Sequence, residues 1–312
     1  MHIMHVITRL LRGGAEENTL ATCQYQAEQG HRVTLVHGVE YDRFWYDNPI
    51  DGVELIHLPE LVHAVSPISD AAAYLRLRRL YKTANPDVIH THQSKAGVVG
   101  RLAACLLPGS VVVHCIHIVP FDGLIGMKRW IYVSAERLAA RHTDVFLAVS
   151  EAVGQMFVDA GITGKDRLKT VYSGMDLTAF KGAKRPEDWH DVLGIGANVR
   201  RPRVALMMAA FEPRKRHNEF LRAFAEVAAT APDVVVVLAG QGEGEQDTKD
   251  LARALGLQNQ VRFCGHRPDP EALLAMADVL VLTSEREGLP RVIVQAIAAG
   301  VPVIVNDLPG LD

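Results

Sequence analysis

Short apolar runs alternate with longer amphipathic stretches along most of the chain. The runs are HIMHVI (2–7), RVTLVH (32–37), VELIHL (53–58), DVIHTH (87–92), VVVHCIHI (111–118) and DVFLAV (144–149). After a gap follow RVALMMA (203–209), DVVVVLAG (233–240), QVRFCG (260–265), DVLVLT (278–283) and VPVIV (301–305). Runs this continuous in Val, Ile and Leu predict strands covered on both faces, as in parallel sheets. The stretches between them, such as 15–28, 68–84, 216–230 and 246–257, have the length and composition of crossover helices. Repeated β–α alternation predicts an α/β protein with doubly wound parallel sheets. The alternation stalls over 177–202, a polar stretch with two prolines, Pro186 and Pro202. We therefore expect two Rossmann-like halves, residues 1–180 and 203–312, joined by a linker over 181–202. Ligands of such sheets bind at the carboxyl ends of the strands, here expected to face a cleft between the halves.

The length, 312 residues, agrees with about two domains. Lys and Arg number 33 against 36 Asp and Glu, a net charge of −3 without the basic excess of a nucleic-acid binder. Cys23, Cys105, Cys115 and Cys264 form no CxxC pair and no disulfide ladder, and read as small buried hydrophobes in a reducing compartment. No apolar run approaches the roughly 20 residues of a membrane span. The opening MHIMHVITRL is too short in apolar residues for a signal peptide and reads as a first strand. A cytoplasmic protein is expected.

Three segments carry candidate chemistry. RGGAEENT (12–19) joins the first strand to a helix; Gly13 and Gly14 permit close backbone approach, and the helix start offers N–H groups to an anion. It is not a GxGxxG fingerprint, which argues against a nicotinamide dehydrogenase. FEPRKRH (211–217) places Arg214, Lys215 and Arg216 before a helix, a setting suited to a diphosphate and equally to a solvated basic patch. SEREGLPRVIVQAIAAGVPVIV (284–305) sets Glu287 at a helix start, where a carboxylate accepts two sugar hydroxyls or simply complements the helix dipole.

EGLP followed by an apolar helix and AAGVPVI resembles the donor-binding segment of the GT-B retaining glycosyltransferases of family 4 (glycosyl transferases group 1). Other segments agree in order: RGGAEENT with the N-terminal GG loop, and PDVIHTHQSKAGVVGRLAA (86–104) with the H-x-H segment and its helix. VVVHCIHIVPF (111–121) matches a strand ending in His, AVSEAV (148–153) the linking VS turn, and VYSGMD (171–176) the N/S-G-x-D. The resemblance implies a metal-independent transfer, with retention, from a nucleotide-diphosphate sugar (UDP-linked) to a polysaccharide, lipopolysaccharide or other glycoconjugate. It implies no cofactor beyond that donor. By its motifs, Lys215 binds the diphosphate beside Arg214, and Glu287 holds hydroxyls of the transferred sugar. The backbone of Gly288, Leu289 and Pro290 lines the pocket, His117 lies by the reacting sugar, and Gly14 lets its loop approach the donor. Glu287, His117 and Lys215 are thus the expected catalytic residues.

The chain departs from this pattern at three places. Gln295 replaces a second acidic residue that would accept both ribose hydroxyls; a neutral bond in place of a charged one weakens donor affinity by about 1 kcal/mol. Ala210 stands where an Arg is frequent, leaving Arg214 or Arg216 to substitute. The chain ends at NDLPGLD (306–312), inside a motif that usually leads on to closing elements, so a truncated second half is expected, with an exposed sheet edge that favours oligomerisation. These departures keep a second reading open: a catalytically silent relative acting as a binding or assembly subunit.

Fourteen histidines invite a metal reading, but His90, His92, His114 and His117 come with no HExxH or clustered carboxylates, and no metal site is expected. GQGEGE (240–245) reads as a tight turn near the donor site. LIGMKRWIYVSAERLAARH (124–142), with LRLRRLYK (75–82), predicts a basic amphipathic surface able to touch an anionic membrane, or a basic helix packed on its sheet.

Overall fold

The apolar runs pair as parallel strands in a computed structural model that describes residues 1–105, 107, 109–196, 200–309 and 311. The chain divides into two units, Met1–Met175 and Asp176–Leu311, each with its own sheet.

The first unit runs β1 (His2–Ile7), α1 (Gly14–Glu28), β2 (Arg32–His37), α2 (Phe44–Asp47), β3 (Val53–His57), α3 (Pro67–Ala84), β4 (Val88–His92), α4 (Ser94–Ala103), β5 (Val111–Ile116), α5 (Gly126–Ala140), β6 (Val145–Ala148), α6 (Glu151–Asp159) and β7 (Leu168–Thr170). Its strand order is β3-β2-β1-β4-β5-β6-β7, all parallel. Alternation explains why β1 is buried throughout. Met4 and Val6 pack with Leu77 and Tyr81 of α3, while Ile7 packs with Leu20 and Cys23 of α1. α3 begins where the Ser66 hydroxyl accepts from the Ser69 N–H and ends on Asn85, whose φ of 44° stops the helix. β7 escapes the hydrophobic pattern because LKT holds a single apolar residue; it is placed by Leu168 opposite Phe146.

The second unit runs α7 (Trp189–Leu193), β8 (Arg203–Met208), α8 (His217–Ala228), β9 (Val234–Ala239), α9 (Glu245–Ala254), β10 (Val261–Gly265), α10 (Pro270–Met276), β11 (Val279–Leu282), α11 (Arg291–Ala298) and β12 (Val303–Val305). Its order, β10-β9-β8-β11-β12, repeats that of the first five strands of the other sheet. The polar stretch 181–202 contributes to this core: Val192 and Leu193 of α7 are buried with Val204, Leu206 and Leu273. Trp189, Val192 and Leu193 stand at i, i+3 and i+4, one helical face too short to register among polar neighbours. Gly194, at φ 61°, ends that turn.

One buried ion pair ties α4 to α5. Arg101 donates from Nη2 to Glu136 Oε2 at 2.5 Å and from Nε to the Gly97 carbonyl at 2.7 Å, with side chains 0% and 1% exposed. Removing one partner strands a charge in apolar surroundings, whereas removing both does not. Arg101→Met is therefore expected to destabilise the protein by about 3–5 kcal/mol in chemical denaturation. Arg101→Met combined with Glu136→Leu should recover most of that loss.

Candidate active site

In a doubly wound sheet the ligand crevice opens where strand order reverses, at the carboxyl ends of two adjacent strands. In the second unit this point lies between β8 and β11. The loops that leave them, 209–216 and 283–290, carry Arg214, Lys215, Glu287, Gly288, Leu289 and Pro290, and Gln295 follows on α11.

The two loops are sewn together through their backbones. The Glu285 N–H donates to the Arg214 carbonyl at 2.7 Å. The Thr283 hydroxyl lies 3.0 and 3.2 Å from the Lys215 and Arg216 carbonyls. Asn306, just past β12, donates its amide to the carbonyls of Thr283 (2.9 Å) and Ser284 (3.2 Å). Between Lys215 and α8, Arg216 adopts φ 55°, a left-handed conformation that β-carbon-bearing residues rarely take. The glycine run after β9 packs on the same loop. A Cβ at Gly240 would lie 2.0 Å from the Ala209 carbonyl, and the Phe211 N–H donates to the Gln241 carbonyl at 3.0 Å. These glycines serve close backbone approach.

The charged groups converge on Glu287. Its Oε1 accepts from Lys215 Nζ and from the Ser284 hydroxyl (2.7 Å), and its Oε2 lies 3.3 Å from Arg214 Nη1. Arg214 also donates from Nε to Glu212 at 2.8 Å. The Lys215 and Glu287 side chains are only 13% and 11% exposed. Burial pushes the Glu287 carboxyl up, but Lys215, Arg214 and the Ser284 hydroxyl outweigh it and hold it below the usual range. Burial also lowers the Lys215 ammonium, against the pull of Glu287. His217, stacked on Phe211 with ring centres 4.3 Å apart, is pushed down to about 4 by burial and by Lys215. Sequence reasoning found the three charged residues but missed Ser284, Thr283 and Asn306. Their role is to bond a neighbouring carboxylate or carbonyls, which leaves no spacing signal.

Gly14 and His117 belong to the first unit. Gly14 opens α1 after Gly13, and the buried Glu16 carboxylate lies against Gly13, so this helix start already has an anion of its own chain beside it. Gln93, at φ 59°, braces the equivalent reversal point between β1 and β4: Oε1 accepts from the Arg9 N–H and Nε2 donates to Glu16. His117 is half-buried after β5, with Nε2 3.0 Å from His92 Nδ1, and burial pushes it down to about 4. His90 and His92 are buried on β4 beside His5 of β1, a neighbour set by the register that pairs His5 with His90 and invisible in a linear reading. Among the described residues, His5, His90 and His92, and likewise His92, Cys115 and His117, bring atoms able to ligate a cation within 4.8 Å of one another. The four cysteines are free thiols, and burial pushes those of Cys23 and Cys115 up to about 12.

Residues 13–174 match the Glycosyl transferase 4-like domain and residues 195–312 the Glycosyl transferases group 1 family, so this chain belongs to the glycosyltransferases. Among its relatives is the UDP-Gal:alpha-D-GlcNAc-diphosphoundecaprenol alpha-1,3-galactosyltransferase of Escherichia coli, 29% identical over 265 residues, covering 83% of this chain and 68% of that protein. Another is the capsular polysaccharide biosynthesis glycosyltransferase CapM of Staphylococcus aureus, 21% identical over 272 residues, covering 85% of this chain and 69% of that protein. The chain thus spans about two thirds of the length of these relatives. Anabaena Alr3699/HepE, solved with UDP and glucose, superimposes with a TM-score of 0.78 at 24% identity over 99% of this chain and 82% of that one. The fold is that of the GT-B glycosyltransferases.

The lowered Glu287 carboxyl gives a pH signature. A carboxylate whose folded value is depressed adds stability above its unfolded value, and this contribution disappears as pH falls through the folded one. The stability advantage of the wild type over Glu287→Gln is expected to shrink steadily below pH 4.5, the ordinary carboxyl value, in urea unfolding followed from neutral to acid pH.

Proposed function

We propose that this protein transfers a sugar, with retention of configuration, from a UDP-linked donor to a glycan or lipid-linked acceptor of the cell envelope. The observation that carries this reading is the convergence of Lys215, Arg214 and Glu287 at the strand-order reversal of the second sheet. Without a ligand these groups neutralise one another. An incoming diphosphate competes with Glu287 for Lys215 and Arg214 and forms charge-assisted bonds with both. Glu287, released from its cations, then accepts hydroxyls of the transferred sugar, and the backbone N–H groups of Gly288 and Leu289 at the start of α11 face the negative charge. As the bond from the anomeric carbon to phosphate breaks, charge grows on the departing diphosphate, and fixed cations stabilise it more than they stabilise the intact donor. The acceptor hydroxyl attacks from the same face and passes its proton to the leaving phosphate oxygen. The step uses protein cations throughout and calls for no metal ion. Gln295 contacts the ribose through one carbonyl oxygen, and His117 contacts the sugar. The activity of the E. coli relative and the ligands held by HepE support a uridine donor.

Calorimetric titration of UDP, GDP and ADP tests this reading. UDP is expected to bind, with Lys215→Ala weakening it about tenfold or more, the worth of a charge-assisted hydrogen bond. Glu287→Ala should spare UDP far more than it spares UDP-sugar binding and transfer. A folded protein that binds no nucleoside diphosphate would sink the proposal.

A membrane-facing surface suits a lipid-linked acceptor. Among the described residues no helix is long and apolar enough to cross a membrane. At the start of α5, however, Ile125, Met127, Trp130 and Ile131 are 86%, 69%, 65% and 52% exposed beside Lys128 and Arg129, while Val133, Ala139 and Ala140 face the core. Apolar side chains among cations fit the interface of an anionic bilayer. Wild-type protein should sediment with vesicles rich in anionic lipid at low salt, and Trp130→Ser combined with Ile131→Ser should remain in the supernatant.

A further inference from the structure

Four side chains of the first unit form one continuous hydrogen-bonded chain. Gln26 of α1 places Oε1 2.7 Å from His5 Nε2. His5 Nδ1 lies 2.9 Å from His92 Nε2, and His92 Nδ1 lies 3.0 Å from His117 Nε2. The chain crosses from the helix through β1 and β4 to the loop after β5. His5 and His92 are buried, and His117 is half-buried.

Burial pushes His5 and His117 down to about 4 and His92 well below its ordinary value, and the neighbouring Cys115 thiol is pushed up to about 12. All three rings are therefore neutral at physiological pH. A neutral imidazole has one N–H and one bare nitrogen, so fixing the role of one nitrogen fixes the other. Three such rings in series behave as a line whose direction is set at its end. The amide oxygen of Gln26 only accepts, so His5 carries its proton on Nε2 and accepts on Nδ1. His92 must then donate from Nε2 and accept on Nδ1, and His117 must donate from Nε2.

We infer that Gln26 is a positioning residue that acts through His5 and His92 to fix the tautomer of His117, leaving His117 Nδ1 as a bare acceptor. No described residue hydrogen-bonds to that nitrogen. Its use as an acceptor for a sugar hydroxyl rests on the role proposed for His117 above; the tautomer does not. His90, tilted against His92 and His5 with ring centres 4.3 and 4.8 Å apart, packs beside the line without joining it. A cation shared by His5 and His92 would need two bare nitrogens facing each other, whereas their 2.9 Å approach is that of a donor and an acceptor.

Histidine-selective 15N NMR reads the line directly. In wild-type protein, free of added metal, His5, His92 and His117 should each be protonated on Nε2. Gln26→Glu keeps an acceptor and should keep that pattern. Gln26→Lys presents a donor and should reverse it, moving the His117 proton to Nδ1, and Gln26→Leu should give a mixture of tautomers. In Gln26→Leu, kcat/KM for sugar transfer is expected to fall roughly three- to tenfold, the worth of one neutral hydrogen bond, with partial recovery in Gln26→Glu. The inference is overturned if wild-type His117 carries its proton on Nδ1, or if its tautomer ignores all three substitutions. Stoichiometric Zn2+ uptake that removes the N–H signals of His5 and His92 would equally replace it with a metal site. Full transfer activity in His117→Ala would instead overturn the role of His117 in the reaction and leave the tautomer result standing.

Discussion

Everything in the second unit's crevice turns on the carboxylate of Glu287 and the cations it holds. A lysine buried this deeply is stable in its charged form only against a fixed anion, and Glu287 is in turn oriented by Ser284 at 2.7 Å. The pair spans 72 positions of sequence, so it forms only when the loops after β8 and β11 are in register. That explains the density of backbone bonding around it. Thr283, Glu285 and Asn306 bind carbonyls or donate N–H groups so that two charged side chains meet at a defined place.

The same ion pair shapes the chemistry. A crevice lined by free cations would attract any polyanion and would suffer their mutual repulsion when empty. Here the cations are already satisfied, so a ligand must displace a carboxylate before it gains them. The displaced carboxylate then has to find new donors, which in the reading proposed above are the hydroxyls of a sugar. On that reading, a diphosphate and a sugar offered together compensate both halves of the exchange, which neither does alone.

The strands were legible in the sequence because most lie between two packed layers, so both faces of a run such as VVVVLA are apolar. β7, with one apolar residue, and α7, with three in a short turn, gave too little periodicity to stand out. The cationic loop and the EGLP segment were legible because each places charge next to a helix start. What stayed hidden was lateral: the bonds of Asn306 to carbonyls 22 and 23 positions away, and the ring contacts of His5 with β4 histidines 85 and 87 positions away. Register between strands decides such meetings, and a linear pattern does not record it.

The bonds of Asn306 also bear on when the crevice is complete during synthesis. The first sheet is built from strands within residues 1–175, all of which are synthesised before any strand of the second sheet. The loop that presents Glu287, by contrast, is braced by a residue that follows β12. Lys215 emerges early in the second unit, yet its partner loop is held in place only after some 90 further residues have been made and paired. On a growing chain the braced cation cluster is therefore complete only after residue 306 has been made and placed.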